Sequence, residues 1–312
     1  MDDSYWSSCK GGKRDTEARN MNILSFDIEE WAIEKIYRGG HQDKYAEFDR
    51  ILDIILDSLA HNNTKATFFC LGIIARDFPQ VIKKISSNGH EIGSHSNAHK
   101  WVNKMTPEEF RHDTQTAIAA LEDLTGKKVK SFRAPAFSIG ESNKWAIEIL
   151  AEAGIENDAS FFPGVRDFGG FPNFNEQKPC VVTYNGCHLN EFPIPLYPIP
   201  VIGKRIAYSG GGYFRMLPLS FVKKQIAASD YNMCYFHIED LLTEQAPFQS
   251  REDFEAYFRE PGSLQRRFVR YVKSNIGRRN ALPNMQELIK TFPFTSIEDY
   301  LANNKLKELV IL

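Results

Sequence analysis

The chain reads as an α/β barrel, for three reasons. Strand and helix signals alternate along its first half, each strand signal runs into a polar loop, and the residues able to do chemistry fall where strands end. Its 312 residues can bury one large core or two modest ones, and 42% hydrophobic with 25% charged residues is the balance of a globular chain.

The elements follow in order. An apolar run from Met21 to Phe26 reads as the first strand and ends in S-F-D-I-E-E-W at 25–31. Between Tyr45 and Leu59, Phe48, Ile51, Leu52, Ile55 and Leu59 recur at helical spacing, and Lys65 to Leu71 returns as a strand. Pro79 opens a helix reaching Ser86, and His90 to Ser94 is a strand leading into a pair of histidines. Thr106-Pro107-Glu108-Glu109 is a capping box with proline at the first helical position, and that helix stops before Gly126. Val129 to Phe132 then delivers Arg133, Asn143 to Ala153 is a helix closed by Gly154, and Ile155 to Ser160 delivers Asp158.

From Gly164 to Pro218 the pattern changes to proline, glycine and aromatics, as in F-P-I-P-L-Y-P-I-P at 192–200 and S-G-G-G-Y-F-R at 209–215. This reads as an insertion. Either it shapes a sugar groove with Tyr197, Tyr208, Tyr213 and Phe214, or it is a packed β-extension whose aromatics fill core. The 252–276 and 283–306 regions read as helices closing the barrel's side. No internal repeat is visible, so 21–312 is expected to be a single domain preceded by a polar leader at 1–20, read as disordered or as an upstream start.

The segment G-S-H-S-N-A-H, Gly93 to His99, carries the most specific chemistry. His95 and His99 are four residues apart and would share one side of a helical turn starting at a strand's end. Imidazole nitrogen there suits Zn²⁺, Co²⁺, Ni²⁺ or Fe²⁺. A third ligand is available in Asp27 or Glu29, which period-2 geometry projects to one side of the first strand's end, leaving the other acid as a base. Such an open coordination sphere can hold water and a carbonyl oxygen together, which is hydrolytic logic. The competing reading is that D-I-E-E caps a following helix. His90 is expected to be a buried histidine satisfied by backbone, while His41, His61, His112 and His188 show no partner pattern.

Five ordered segments now stand out: S-F-D-I-E-E-W, G-H-E-I-G-S-H-S-N-A-H at 89–99, F-R-A-P at 132–135, D-A-S-F-F-P at 158–163 and Y-F-H at 235–237. Together they resemble the polysaccharide deacetylases of the NodB-homology type, carbohydrate esterase family 4, over roughly residues 21 to 240. The resemblance implies a distorted, incomplete (β/α)7 barrel of the glycoside hydrolase/deacetylase kind and a divalent metal, zinc first, with cobalt, nickel or iron as alternatives. It implies Asp27 as catalytic base and Glu29, His95 and His99 as metal ligands. Arg133 would orient the base, and Asp158 would hold the general-acid histidine, His237. Pro135, Tyr213 and Phe214 are the expected substrate-binding residues. Two positions depart from the family pattern. Ile28 separates Asp27 from the second acid, where adjacent aspartates are commoner, and Ala136-Phe137 replaces an aromatic residue followed by glycine. Taken singly, Arg133 reads equally as a surface cation and Asp158 as a turn cap.

A net charge of -2 argues against a nucleic-acid footprint. The exception is the basic run Arg266, Arg267, Arg270, Lys273, Arg278 and Arg279, which reads as a solvated helix face or as a contact for an anionic sugar or lipid carrier. Cys9, Cys70, Cys180, Cys187 and Cys234 form no CxxC pair and read as reduced thiols of a cytosolic protein. The leader has no hydrophobic signal core and no stretch reaches membrane-spanning length, so the expectation is a cytoplasmic enzyme of surface-polysaccharide assembly with no integral membrane segment. A homo-oligomer is compatible with all of this. The implied activity is metal-dependent removal of an N-acetyl group from an amino sugar in a polysaccharide or its precursor. The alternatives are hydrolysis of another C–N amide, such as a cyclic amide of the allantoin kind, and metal-free carbohydrate binding.

Overall fold

The computed structural model describes residues 22–165, 169–199, 204–258 and 260–312. The leader at 1–20, Met21 and Cys9 lie outside them. Twelve strands are assigned in chain order: β1 (Asn22–Ile28), β2 (Thr67–Cys70), β3 (Glu91–Ser94), β4 (Ser131–Phe132), β5 (Asn157–Asp158), β6 (Cys180–Tyr184), β7 (Cys187–Glu191), β8 (Tyr197–Ile199), β9 (Lys204–Ile206), β10 (Met233–His237), β11 (Phe294–Thr295) and β12 (Lys307–Ile311). The helices are α1 (Glu30–Tyr37), α2 (Gln42–His61), α3 (Gly72–Asp77), α4 (Pro79–Ser87), α5 (Pro107–Thr125), α6 (Trp145–Glu152), α7 (Gly211–Met216), α8 (Leu219–Ala228), α9 (Arg251–Phe258), α10 (Leu264–Asn275), α11 (Arg278–Thr291) and α12 (Ile297–Asn303).

The expected parallel barrel rhythm is present. Strands β10, β1, β2, β3, β4, β5 and β7 lie side by side, each parallel to the next. Strand β6 joins β7 antiparallel, and β12 runs parallel to β6. Among the described residues no strand pairing closes the two ends of this sheet, in keeping with an incomplete barrel. Every residue of β1 and β2 is buried, as expected for parallel strands covered on both faces.

Helices pack where the periodicity placed them. In α2, Phe48, Ile51, Leu52, Ile55, Leu56 and Leu59 are buried against the main core. At the start of α5, the Thr106 side chain accepts from the Glu109 N–H while Glu109 reaches back to the Thr106 N–H, and Gly126 ends the helix at φ 67°.

The 164–218 region is mostly the packed β-extension. Strands β6 and β7 form a hairpin turned by Asn185 and Gly186, at φ 47° and 81°, an Asn-Gly turn whose twist matches its strands. Strands β8 and β9 form a second antiparallel pair. Phe214 is core, edge-on to Phe236, and the buried Tyr208 hydroxyl donates to Asn232 Oδ1. Phe214 is therefore not a substrate contact; the turn of α7 points it inward and Tyr213 outward. Cys180 and Cys187 do not bridge each other, because the hairpin register sets Cys180 opposite Glu191 and Cys187 opposite Tyr184.

His90 is buried against Phe68, but its Nδ1 has no hydrogen-bond partner, so backbone does not satisfy that atom as expected. Burial, with a smaller push from Lys65, lowers its imidazole from 6.5 to about 4. Between these values the unfolded chain binds the proton and the folded chain does not, so acidification from pH 6.5 to 4 favours unfolding. The urea midpoint of His90→Leu should fall less than that of wild type across this window; equal losses would contradict the assignment.

Candidate active site

Strand ends deliver the site. Asp27 is the fifth of five paired positions between β1 and β10, directly opposite His237, so both face the loops at the carboxyl end of the sheet. One strand pairing brings a carboxylate and an imidazole from opposite ends of the sequence together.

Arg133 follows β4 and is fully buried. Its Nη1 donates to Asp27 Oδ1 at 2.8 Å, its Nε donates to the Ala159 carbonyl at 3.2 Å, and its guanidinium lies 4.2 Å over the Phe69 ring. The expected pairing of Arg133 with the base is thus present. Gly93 makes room for this stack: a Cβ there would meet the Phe69 ring at 2.7 Å and the Ser131 carbonyl at 2.9 Å.

Glu29, His95 and His99 converge. His99 Nε2 lies 2.7 Å and His95 Nε2 3.3 Å from Glu29 Oε2. The His95 Nδ1–H donates to the Arg133 carbonyl at 2.8 Å, which fixes the tautomer and leaves the Nε2 lone pair facing Glu29. A helical turn does not bring the two rings together, contrary to the reading of their spacing. They sit in an irregular loop in which Ser96 and His99 take φ 73° and 58°. Several bonds hold that loop: the Gly72 and Ile73 N–H groups donate to the Ser96 and Asn97 carbonyls, the Asn97 N–H donates to Asp113 Oδ2, and the His99 N–H donates to Ser96 Oγ. His99 stacks at 6.0 Å on Tyr257.

The fit to a cation can be tested on these atoms. Glu29 Oε2 and His95 Nε2 are buried and, although Glu29 Oε2 lies close to both imidazoles, neither atom makes a well-formed hydrogen bond, a costly arrangement unless a further positive group sits among them. Within the described residues, only Glu29, His95 and His99 form a cluster of metal-ligating atoms close enough to share one ion. Two imidazoles and a carboxylate suit zinc, and also cobalt, nickel or iron.

The second acid behaves differently. Glu30 accepts from the N–H groups of Glu239 at 2.8 Å and Glu29 at 3.3 Å, and burial with the neighbouring Glu29 charge pushes it up to about 8. It is the helix-start acid, neutral near pH 7, and Glu29 is the acid that reaches the two imidazoles. Burial opposes charge on Glu29 as well, but His99, His237 and His95 hold its carboxyl well below the usual range.

One expected pairing is corrected. The partner of His237 is Asp240, whose Oδ2 faces His237 Nδ1 at 2.9 Å, with Arg215 Nε 3.2 Å from the other oxygen. Asp240 belongs to the turn directly after β10, so it reaches the imidazole locally. Asp158 turns instead to Ser160, whose hydroxyl donates to it at 2.5 Å, and to Glu191. Burial pushes Asp158 up to about 6, and burial with the Asp158 charge holds Glu191 well above the usual range. Burial works against protonating His237, yet Glu29, Asp240 and Asp27 raise it well above the usual histidine value. Its Nε2 lies 3.6 Å from Asp27 Oδ2.

Asp27, His237, Asp240 and Tyr213 line one open cavity of ≈ 1470 Å³. Pro135 is buried beside it and accepts the Ser138 hydroxyl hydrogen bond, so it shapes the loop and is not part of the lining. Ala136 and Phe137, at φ 54° and 53°, carry the departure from the family pattern in two successive left-handed residues.

Comparison with known proteins follows the same lines. A family profile described as polysaccharide deacetylase matches residues 43–157, and one described as a domain of unknown function matches 159–302. Residues 43–157 thus match the family that the ordered motifs resemble. A peptidoglycan-N-acetylglucosamine deacetylase of Bacillus cereus is 40% identical over 95 residues, 30% of this chain and 34% of that protein. A chitooligosaccharide deacetylase of Azorhizobium caulinodans is 29% identical over 97 residues, 31% of this chain and 43% of that protein. The chain thus spans about a third of the first of these deacetylases and under half of the second. A crystal structure described as a polysaccharide deacetylase from Mycobacterium smegmatis covers 96% of both chains at TM-score 0.62 and 15% identity, and shares the fold.

Asp240, Glu191, Asp113 and Tyr257 carry contacts of this site that no sequence motif announced. Asp240 alone carried a local signal, as an acid three residues beyond the histidine. The His237 imidazole in metal-free Asp240→Asn should titrate at lower pH than in wild type by NMR. Asp158→Asn should leave it in place, and the reverse pattern would restore the original pairing.

Proposed function

We propose that this protein hydrolyses the N-acetyl amide of an amino sugar in a polysaccharide or its precursor, with zinc held by Glu29, His95 and His99. The observation that carries this reading is the juxtaposition of three ligand atoms sharing one point with an ion-paired carboxylate and a carboxylate-held imidazole. A divalent ion bound there supplies Lewis acidity, lowering the pKa of water and polarising the amide carbonyl.

The protein's own groups divide the proton work. Arg133 occupies Asp27 Oδ1, so Oδ2 is left to take the proton of the attacking water. Water attacks the acetyl carbon, the C–N bond breaks, and His237 Nε2 donates a proton to the departing amine. Asp240 on Nδ1 keeps that imidazole oriented and protonated. The products are acetate and a free amino sugar.

A cavity of ≈ 1470 Å³, open on one side and flanked by Tyr213, suits an extended glycan better than a small cyclic amide. The sharing of these roles among buried, mutually oriented groups also supports catalysis over passive binding.

His95→Ala should lose zinc uptake, measured by metal analysis, together with release of amine from N-acetylated oligosaccharides, while the circular dichroism spectrum stays that of wild type. Undiminished turnover would refute the site. Asp27→Asn should retain zinc and lose about 10²–10⁴-fold in turnover; loss of zinc as well would make Asp27 a ligand.

A further inference from the structure

Helix α10 has no buried residue, although its sequence is rich in large apolar side chains. Leu264, Phe268, Val269 and Ile276 are 67%, 57%, 45% and 39% exposed. At helical spacing these four, with Val272, share one side. The opposite flank meets the protein: Arg267 Nη1 donates to the Gln249 carbonyl, the Arg270 guanidinium lies 4.2 Å over the Phe258 ring, and Tyr271 sits edge-on to Phe248. The helix has been turned inside out, with its basic flank inward and its apolar side in solvent, whereas a water-facing helix ordinarily buries the apolar stripe.

The charge of this segment is equally one-sided. Residues 261–286 hold Arg266, Arg267, Arg270, Lys273, Arg278 and Arg279 and no acid, in a chain whose net charge is -2. Arg266 and Lys273 are exposed beside the apolar side, with Arg266 Nη1 3.6 Å from Glu260 Oε2, and Arg279 is exposed at the start of α11. Helix α10 also walls the catalytic cavity, through Arg266, Val269, Arg270 and Lys273. Two further exposed apolar side chains on the lining, Met216 at 46% and Val165 at 86%, lie outside α10.

We propose that α10 docks the protein on an anionic lipid bilayer. Leu264, Phe268, Val269 and Ile276 enter the boundary between headgroups and acyl chains, and Arg266, Lys273 and Arg279 meet lipid phosphates. Charge selects this occupant over a second copy of the chain, because a symmetric contact would set the exposed Lys273 and Arg279 against like charges of the other copy. Among the described residues no helix is long and apolar enough to cross a membrane, so attachment lies in the surface plane. The cavity that α10 walls is thereby held beside the lipid surface.

The full chain should co-sediment with phosphatidylglycerol-containing vesicles at least about tenfold more strongly than with phosphatidylcholine vesicles, and the difference should shrink in high salt. The Leu264→Glu/Phe268→Glu double variant should lose that binding by about tenfold or more while keeping the circular dichroism spectrum and melting temperature of wild type. Lys273→Glu should weaken binding to anionic vesicles alone. The proposal is overturned by a wild-type chain that stays in the supernatant, by a double variant that binds as well as wild type, or by a vesicle-independent dimer that the double variant dissociates. The readout is binding, so its failure would leave the deacetylase reading untouched, and the reverse also holds.

Discussion

Arg133 is the residue on which the site is assembled. Its side chain holds one oxygen of Asp27, its own carbonyl sets the tautomer of His95, and its guanidinium lies on Phe69. A single residue after β4 therefore orients Asp27 and His95 together. Full burial makes this arrangement consequential, since removing one partner of a buried ion pair leaves an uncompensated charge, with a typical cost of about 3–5 kcal/mol. Gly93 on β3 yields the space that the stacked ring needs, so the strand sequence and the site chemistry are one constraint.

The buried acids divide by company. Glu29 and Asp240 lie against imidazoles or a guanidinium and remain ionised, while Glu30, Asp158 and Glu191 have backbone donors, a hydroxyl or each other for company and are raised. Burial pushes all five toward neutrality; the nearby cations decide which of them stay charged. The lowered carboxyls, Glu29 and Asp240, are thus the ones that face His95, His99 and His237.

Most of the first half was legible because its signals are local. Helical spacing in α2, the capping box of α5 and the all-apolar runs of β1 and β2 each state their structure within a few residues. Asp27, Glu29, His95, His99, Arg133 and His237 lie at or just beyond strand ends, as the ordered motifs implied. What escaped depended on distant or irregular contacts. Nothing in S-H-S-N-A-H announces that Ser96 and His99 adopt left-handed backbone, because that loop is held by Asp113 and by the start of α3. The Asn-Gly hairpin of the insertion was readable but lay among prolines and aromatics that suggested a groove. The roles of Asp158 and Asp240 were exchanged because the motif containing Asp158 matched, while the partner of His237 lay in the next turn.

The central claim is that Glu29, His95 and His99 grip one ion while Arg133 keeps Asp27 apart from it as a free base. The most direct measurement is an anomalous-difference map from crystals of the protein grown with zinc. The account predicts a single strong peak among those three side chains, with Asp27 still paired to Arg133. A peak elsewhere, or one that draws Asp27 off Arg133 into the coordination sphere, would contradict it.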